Sequence, residues 1–411
     1  MTNKQSSFRN WQLTFAALLS CASLLAQAAP HQSRNSSIAM DHQVAATLDS
    51  IAYGNLSEAR VLARQLSKQF PKFALGHLLS AELEAAAAFQ DVRASSLAPM
   101  NQRLIDLLLE AQFRLKATRT QRTASNQMDS GAAPVLPSSV IQMGTDIDSL
   151  LIVDLDNSTI KHIAGTDESP TIIRQHYMGS GKAGFGKEIE GDNKTPLGVY
   201  TITGKRHDST LPDLYGSGAL TLNYPNALDR FLGRTGYGIW IHGVPHAQRS
   251  RAPRSSEGCV TMSNDHLLSL MQQIEPSKSL VVLTNNLSYI SEESRHSQKH
   301  EFRTLFTKYQ NALLSKQPLE IANLYDNSSN IVRAPNTESY KQYIQNVSPS
   351  DLSIILNPSL NSHDAAEDAP FLVMRGRYGA HNELPFALYW KRSNEGEWRI
   401  ATELRQGPNA S

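Results

Sequence analysis

The chain has 411 residues, of which 40% are hydrophobic and 19% charged, with 39 basic and 38 acidic side chains. This length predicts two to four domains, and a formal net charge of +1 argues against a nucleic-acid binder, which carries a basic patch. Two cysteines are too few for a disulfide framework or a four-cysteine zinc site.

Residues 1–28 are typical of a secretory signal peptide. Lys4 and Arg9 form a short charged region, an apolar stretch runs from Leu13 to Ala26, and small residues precede a cleavage site after Ala28. The stretch is too short to span a bilayer, and no other segment reaches ~18 apolar residues. We therefore expect a periplasmic protein without a membrane span. The alternative is a lipoprotein anchored at Cys21, because residues 18–21 resemble a lipobox.

Residues 29–116 are predicted to form a helical domain. Two apolar stripes with helical spacing mark it, at Leu75, Leu79 and Leu83 and at Leu104, Leu108, Ala111 and Leu115. A single helical hairpin cannot bury its apolar face alone, so this face is either a helical core or a docking surface, including one for a homodimer. Residues 117–148 follow as a predicted linker, because the segment 117–139 is rich in polar residues, Gly and Pro and has no aromatic residue.

Residues 149–286 are predicted to form a mostly β domain with one helix. The helix begins near Asn264, a candidate N-cap, and ends before Pro276. The strands are predicted at residues 150–155, 171–177, 198–203, 219–222, 238–241 and 280–283.

Residues 295–409 are predicted to form a C-terminal domain after a charged junction at 291–300. A helix at 302–325 precedes strands at 371–378, 386–391 and 398–404. A leading helix and a curved antiparallel sheet resemble the nuclear-transport-factor-2-like (NTF2-like) cone fold. We expect this domain to fold alone and to act as a ligand-, partner- or wall-binding module or as a structural appendage. The fold class is then multidomain α+β.

The residues with the clearest chemistry are His242 and Cys259. An apolar strand ends at His242, Gly243 permits a sharp turn, and a polar loop delivers Cys259, the cysteine that remains after signal cleavage. A nearby imidazole can turn a thiol into the nucleophilic thiolate. Backbone N–H groups around Gly258 and Cys259 are candidates for stabilising an oxyanion.

Three motifs in this region resemble the L,D-transpeptidase catalytic domain (YkuD-type) of bacterial cell-wall enzymes, over about residues 149–285. They are His242-Gly243 with Ser256-x-Gly258-Cys259-Val260-x-Met262, Ser180-Gly181-Lys182, and Thr195-Pro196-x-Gly198-x-Tyr200. The resemblance implies a Cys259 nucleophile, a His242 base oriented by the carbonyl of Gly243, peptidoglycan as substrate, and no metal or organic cofactor.

Two positions depart from the usual family pattern. Glu257 stands where His or Asn is common, and Thr261 stands where Arg is common. With the Glu190-Gly-Asp-x-Lys-Thr-Pro lead-in and the C-terminal domain, they resemble a subgroup that includes L,D-carboxypeptidases that set helical cell shape and enzymes that release proteins from peptidoglycan. Trimming of stem peptides is therefore as credible as 3–3 cross-linking or protein attachment, and a non-catalytic wall-binding protein is the alternative of another class.

Other interpretations of these residues are weaker. Residues 181–187 fit the start of a P-loop, but Glu188 occupies its Ser/Thr position. A zinc site from His207, His242, His246 and Cys259 would need a helix that Gly243 and Pro245 break. Additional oxyanion or substrate contacts are predicted at Gly258, Ser256, Tyr224 and Arg234. Arg254 is a further candidate contact, and the alternative for Tyr224, Arg234 and Arg254 alike is a packing or surface role.

Overall fold

The computed structural model describes residues 39–51, 53, 55–88, 110–111, 113–114, 136–167, 170–315, 317–326, 338–357, 370–379, 381 and 384–405. The predicted signal peptide, the lipobox, Leu104, Leu108 and Leu115 lie outside these residues. The described chain divides into two compact units. One comprises the residues up to Pro71 together with 76–88, and the other comprises 72–75 and everything from residue 110 onward.

The N-terminal part of the chain consists of helices, as predicted. Helix α1 covers residues 39–51, α2 covers Leu56–Gln69 and α3 covers Ala74–Ala88. The predicted stripe of Leu75, Leu79 and Leu83 is buried. Arg60 and Arg64 of α2 both form ion pairs with Glu84 of α3, so these charges join the two helices.

The second unit contains seventeen strands and five helices among its described elements after residue 135. The strands of its first part are β1 (Leu136–Pro137), β2 (Val140–Gln142), β3 (Ser149–Asp154), β4 (Thr159–Ala164), β5 (Thr171–Tyr177), β6 (Ser180–Gly181), β7 (Gly198–His207), β8 (Gly218–Leu222), β9 (Trp240–His242), β10 (Arg254–Ser256), β11 (Val260–Thr261), β12 (Ser279–Thr284) and β13 (Tyr289–Ile290). Its helices are α4 (Ala227–Phe231), α5 (Asn264–Gln273), α6 (Glu292–Leu314), α7 (Pro318–Ala322) and α8 (Glu338–Ile344). The strands of its last part are β14 (Ser353–Asn357), β15 (Phe371–Tyr378), β16 (Leu384–Arg392) and β17 (Trp398–Arg405).

The central sheet has eight strands in the order β11-β9-β8-β7-β12-β3-β4-β5. Most neighbours are antiparallel, but β12 runs parallel to β3, and β11 runs parallel to β9. All six predicted central strands are present. Strand β4 was not predicted, because its Lys161 and His162 interrupt the apolar pattern although both side chains are buried.

The C-terminal sheet has the order β17-β16-β15-β14-β2. Its last strand, β2, comes from the segment that the sequence assigned to the linker. The linker prediction is therefore wrong for residues 136–142. Val140 and Ile141 are fully buried, because β14, more than 200 positions further along the chain, pairs with β2. The likeness of this domain to the NTF2-like fold stays a prediction.

The predicted charged junction at residues 291–300 is also wrong, since these residues begin helix α6. The Ser291 hydroxyl caps the helix by accepting from the Ser294 N–H at 3.2 Å. Arg295 and Lys299 are buried because both form ion pairs with Asp167. The predicted helix at 302–325 is divided into α6, which ends at Leu314, and α7, which begins at Pro318.

The central and C-terminal parts share one of two buried apolar clusters, while the second lies within the C-terminal part and includes Phe302 and Trp390. Ile355, Val373 and Tyr389 of the C-terminal sheet belong to the same buried cluster as the central sheet. Arg375 adds polar links from β15 to Asp146 at 2.6 Å and to the Thr201 hydroxyl at 2.6 Å. None of the described helices combines the length and apolar character required to cross a membrane.

Candidate active site

His242 is the last residue of strand β9 and is held by the turn that follows it. The N–H of Gly243 donates to the carbonyls of Tyr215 at 3.0 Å and Gly218 at 3.2 Å. The imidazole is 3% exposed, and its Nδ1 lies 2.7 Å from the carbonyl oxygen of Gly243. Because a carbonyl can only accept, Nδ1 carries the proton, and Nε2 remains as the basic nitrogen.

Burial keeps the His242 imidazole neutral. It lowers the pKa of His242 to about 4, although the hydrogen bond to the Gly243 carbonyl acts in the opposite direction. The charge of Arg251 lowers this pKa further. At pH 7 the imidazole is therefore a neutral base.

Cys259 lies in a tight turn built by Ser256 and Gly258. The Ser256 hydroxyl donates to the carbonyl of Cys259 at 2.6 Å and accepts from the N–H of Gly258 at 3.2 Å. Gly258 has a φ of +128°, a conformation that favours glycine. The thiol donates to the Gly238 carbonyl, with the sulfur 3.3 Å from that oxygen.

The Cys259 thiol is protonated at neutral pH. Burial raises its pKa, and the negative charge of Glu257 raises it further. A backbone hydrogen bond involving Trp240 and the charge of Lys187 act in the opposite direction. The two candidate reacting groups are therefore a neutral thiol and a neutral imidazole.

The pairing of two parallel strands brings the segment of Cys259 next to His242. Thr261 of β11 pairs with His242 of β9, and Cys259 stands two positions before Thr261, in the turn that enters β11. Tyr215 borders both residues: its ring lies 5.0 Å from the His242 ring, and burial together with the charge of Cys259 raises the pKa of Tyr215.

Two residues that the sequence analysis missed position this pair. The Tyr215 ring meets the His242 ring edge-on at 5.0 Å and also contacts Trp240 at 5.0 Å. The Asn264 side chain accepts from the N–H groups of Ser217 and Val244 at 3.0 and 3.1 Å and donates to the Val244 carbonyl at 2.8 Å. Asn264 thereby ties the turn after His242 to the turn after Tyr215.

Asn264 also corrects a sequence prediction. Helix α5 has Ser263, not Asn264, as its N-cap. Gly216 and Gly243 both approach the Asn264 side-chain oxygen so closely that a Cβ on either glycine would clash with it. In the sequence, an Asn at the start of a helix indicates an N-cap. Its role as a link between two turns could not be predicted, because the glycines it contacts, Gly216 and Gly243, are distant from it in the chain.

The three sequence motifs meet at the nucleophile. Thr195 is buried, and its hydroxyl accepts from the N–H of Gly181 at 2.8 Å, which joins the second and third motifs. Lys182 donates its N–H to the carbonyl of Ser256 at 2.7 Å, which joins the second motif to the nucleophile's turn.

Residues 148–283 match the family model of the L,D-transpeptidase catalytic domain, YkuD. The central domain is therefore similar to YkuD-type catalytic domains over these residues. This match supports a peptidoglycan-modifying enzyme of the L,D-transpeptidase family.

The comparison with solved structures matches proteins from three bacteria. Bd1075 from Bdellovibrio bacteriovorus is 19% identical with a TM-score of 0.51, and the match covers 66% of this chain and 99% of that one. The helical cell shape determining protein Pgp2 from Campylobacter jejuni is 20% identical with a TM-score of 0.47, covering 65% and 94%. An L,D-transpeptidase from Mycobacterium smegmatis is 16% identical with a TM-score of 0.23, covering 33% and 58%. The comparison with curated proteins found no match.

Several predicted contact residues have hydrogen-bond partners within the protein. The Tyr224 hydroxyl donates to the Thr235 carbonyl at 2.9 Å. The Arg234 guanidinium binds the Leu197 carbonyl and Asp229, both at 3.1 Å, and the Gly258 N–H is bonded to the Ser256 hydroxyl. These partners fit the packing alternative for Tyr224 and Arg234, and their contact with substrate stays a prediction.

The other interpretations of the YkuD site can be compared with the geometry. Lys187, the P-loop lysine by pattern, is buried and bound to Asp192 at 2.8 Å. His246 lies 2.7 Å from Asp213 and 3.4 Å from Asp208 on the surface. Within the part of the chain that the structure describes, no three His, Cys, Asp or Glu residues form a group suited to a metal ion.

Proposed function

We propose that this protein is a cysteine-dependent L,D-carboxypeptidase or endopeptidase that acts on the stem peptides of peptidoglycan. The observation that carries the proposal is that Cys259 stands at the entry to the strand that pairs with the His242 strand, while the Gly243 carbonyl leaves Nε2 of His242 as the basic nitrogen. A pure binding module has no need of this pair.

The proposed reaction begins with attack of the Cys259 sulfur on the amide carbonyl next to a D-configured centre. Because the thiol and imidazole both start neutral, His242 takes the thiol proton as the carbon–sulfur bond forms. The protonated His242 then gives that proton to the leaving amine as the carbon–nitrogen bond breaks. A thioester remains on Cys259.

Water completes the cycle in a peptidase. His242 removes a proton from the water, the resulting oxygen attacks the thioester, and the thiol of Cys259 is restored with the same proton. In a transferase an amine takes the place of water, and the product is a 3–3 cross-link or a protein attached to peptidoglycan.

Glu257 favours hydrolysis over transfer. Its side chain is 84% exposed beside the nucleophile, and it lies 3.5 Å from the Lys182 ammonium. An acceptor amine must lose its proton before it attacks the thioester, and a carboxylate at the entrance favours the protonated, non-nucleophilic ammonium form. Water attacks as a neutral molecule, so the carboxylate does not inactivate it in this way.

Mass spectrometry of purified peptidoglycan tests the proposal. Digestion with the wild-type protein should give shortened stems or released peptides with few new 3–3 dimers, and the Cys259→Ala variant should give neither product. Abundant 3–3 dimers that vanish in Cys259→Ala would establish the transpeptidase instead. Unchanged peptidoglycan in both samples would favour a non-catalytic wall-binding protein.

The structure also determines which substitution can test the departures from the family pattern. Thr261 is 1% exposed and its hydroxyl lies against Gly179, so an arginine cannot fit there without disrupting β11. Glu257→Asn instead restores a common family residue on an exposed side chain. We expect the ratio of transfer to hydrolysis to rise in Glu257→Asn, and an unchanged ratio would show that Glu257 does not determine the product.

We further propose that export through the predicted signal peptide brings the enzyme to the periplasm, where its substrate lies. Pairing of two copies through the N-terminal helices stays a prediction.

A further inference from the structure

A buried ion pair organises the loop that precedes the Thr-Pro motif. We call residues 187–195 the Asp192 loop. Lys187 is 3% exposed, and its ammonium donates to Asp192 at 2.8 Å and to the carbonyl of Ile189 at 3.0 Å. A lysine is rarely buried without such a partner, because the desolvation of its charge is costly.

The Asp192 carboxylate is bound from several directions. Besides the Lys187 ammonium it accepts the N–H groups of Glu188 at 2.9 Å, Ile189 at 3.2 Å and Lys194 at 3.1 Å. These three backbone N–H groups stabilise the negative charge of Asp192. The loop therefore has one fixed shape, with the ammonium at its buried end.

This loop lies against the turn that carries Cys259. A Cβ added to Gly258 would lie 2.9 Å from the carbonyl oxygen of Lys194, and one added to Gly236 would lie 3.1 Å from the Cε atom of Lys187. Gly236 stands two residues before Gly238, whose carbonyl accepts the hydrogen bond from the Cys259 thiol. The loop thus borders both the nucleophile's backbone and its hydrogen-bond acceptor.

A second set of bonds joins the loop to the same neighbourhood. The N–H of Thr235 donates to the Glu188 carbonyl at 2.9 Å, and the N–H of Glu190 donates to the Thr235 hydroxyl at 3.1 Å. Displacement of the loop would therefore also displace the segment that leads to Gly238.

We propose that Lys187 is a positioning residue for Cys259: paired with Asp192, it holds the Asp192 loop against the nucleophile's turn and presents a buried positive charge to the thiolate. This inference rests on the proposed function, in which Cys259 is the nucleophile. Lys187 acts through the thiol and does not contact the substrate.

The titratable groups around Cys259 come from five elements. Glu257 and Lys182 lie at the exposed entrance, the neutral Tyr215 and His242 lie on the sheet side, and Lys187 belongs to the Asp192 loop. The charge of Glu257 raises the pKa of Cys259, and that of Lys187 lowers it. Solvent screens the exposed Glu257 and Lys182 more strongly than the buried Lys187, so Lys187 is the main cation that favours the thiolate.

The test measures alkylation of Cys259 by iodoacetamide as a function of pH, with the full chain and without substrate. Only the thiolate reacts, so the midpoint of the alkylation rate against pH reports the pKa of Cys259. In Lys187→Gln we expect this midpoint to move upward by about half a pH unit or more, and the alkylation rate at pH 7.5 to fall about threefold or more. Lys187→Arg keeps the charge and should keep the midpoint within about 0.2 pH units.

A matched control is Lys391→Gln. Lys391 also pairs with an aspartate, Asp326, at 3.0 Å, but on the C-terminal sheet, so the same substitution there should leave the midpoint unchanged. If Lys187→Gln does not fold, the double variant Lys187→Gln/Asp192→Asn removes both charges and keeps amides that can bond to each other. A smaller upward shift is then expected, because the loss of the Asp192 charge partly opposes the loss of the Lys187 charge.

The outcomes separate this inference from the proposed function. An unchanged midpoint in folded Lys187→Gln, or in the double variant, overturns the assignment even if the melting temperature falls. A shifted midpoint supports it. The proposed function is tested separately by product formation, since alkylation requires no turnover.

Discussion

At the residue scale, the reacting pair is held neutral by burial and not poised as an ion pair. The pKa of His242 is lowered to about 4 and that of Cys259 is raised, so proton transfer from sulfur to nitrogen is unfavourable until the sulfur attacks. The Gly243 carbonyl fixes the imidazole tautomer, and the Ser256 hydroxyl fixes the turn of the nucleophile. Catalysis then depends on geometry prepared before the substrate arrives.

The first prediction concerns the two reacting side chains. Cys259→Ser and His242→Ala should each reduce kcat/KM on muropeptides by at least ~10³-fold, because a nucleophile and its base act as one unit. The double variant should be little worse than either single variant. Losses that add in free energy would mean that the two residues act in separate steps.

The second prediction concerns the acid limb of the pH profile. His242 is a base only while it is neutral, and its pKa is lowered from the ordinary value near 6.5 to about 4. As the pH falls, kcat/KM should therefore remain nearly constant through pH 6 and decline only towards pH 4. Measurement between pH 4 and 8 on a soluble muropeptide checks this, and a half-maximal value near pH 6.5 would contradict the buried, neutral imidazole.

At the scale of elements, the site is assembled from strand ends and the turns between them. Strand β9 delivers His242, β11 follows Cys259, and the segment at Asp213–Tyr215 forms a short 3-10 helix that brings Tyr215 against the imidazole. These elements are short, and each depends on hydrogen bonds from its neighbours. Asn264 supplies three of those bonds from the start of helix α5.

The third prediction is that Asn264→Ala destabilises the protein by about 2–4 kcal/mol, because it leaves half-buried backbone groups of Ser217 and Val244 without partners. It should also lower kcat more than it raises KM, since His242 and Tyr215 lose their common support. Urea unfolding and steady-state kinetics measure the two effects.

Ser263→Ala is the matched control for this prediction. Ser263 is the adjacent residue and the N-cap of α5, but its side chain makes no capping hydrogen bond, and its hydroxyl is buried without a partner. We expect a change in stability of less than about 0.5 kcal/mol. Equal effects in both variants would show that the loss in Asn264→Ala reflects the helix start and not the link between the two turns.

What the sequence reveals of the site depends on how local the signal is. His242 and Cys259 stand in two motifs that are fewer than twenty residues apart, and glycines in these motifs indicate tight turns. The sequence alone could therefore propose both as candidate catalytic residues. Tyr215 and Asn264 come from separate segments, and only the folded sheet brings them to His242. Lys187 and Asp192 look like surface charges in sequence, because their burial depends on a loop shape that no short pattern encodes.

The same reasoning explains which elements were predictable. Strands β3, β5 and β12 have apolar or β-branched runs bounded by turn residues, and the sequence located each of them. Strand β4 contains Lys161 and His162, which are polar but buried. The start of α6 contains Arg295 and Lys299, which are buried because Asp167 neutralises them. Polar burial depends on distant partners, so patterns of hydrophobicity cannot detect it.

At the scale of the whole molecule, the catalytic and C-terminal parts are one folding unit. Strand β2, which comes from the segment before the central domain, pairs with β14 of the C-terminal sheet. Asp146 lies beside that strand and forms a buried ion pair with Arg375 of β15, and Asp167 of the catalytic domain pairs with Arg295 of helix α6. A chain divided between the two domains would therefore lose β2 from the C-terminal sheet, and the Asp146–Arg375 and Asp167–Arg295 ion pairs would be broken.

The last prediction follows from this shared construction and replaces the expectation that the C-terminal domain folds alone. A fragment of residues 286–411 lacks β2 and Asp146, and it exposes the faces of Ile355, Val373 and Tyr389 that pack on the catalytic core. Burial of each such apolar side chain is worth about 1.5–3 kcal/mol. We therefore expect this fragment to aggregate or to lack a cooperative thermal transition.

A fragment of residues 110–411 should behave differently, because it retains β2, both ion pairs and the whole apolar core. We expect it to unfold in a single cooperative transition and to keep Cys259 reactive towards iodoacetamide. Circular dichroism during heating and sedimentation velocity distinguish the two fragments. A monomeric 286–411 fragment that melts cooperatively would contradict the shared core and restore an independent C-terminal domain. The single transition of the longer fragment matters equally, because two separate transitions would mean that β2 and the Asp146–Arg375 pair do not couple the sheets.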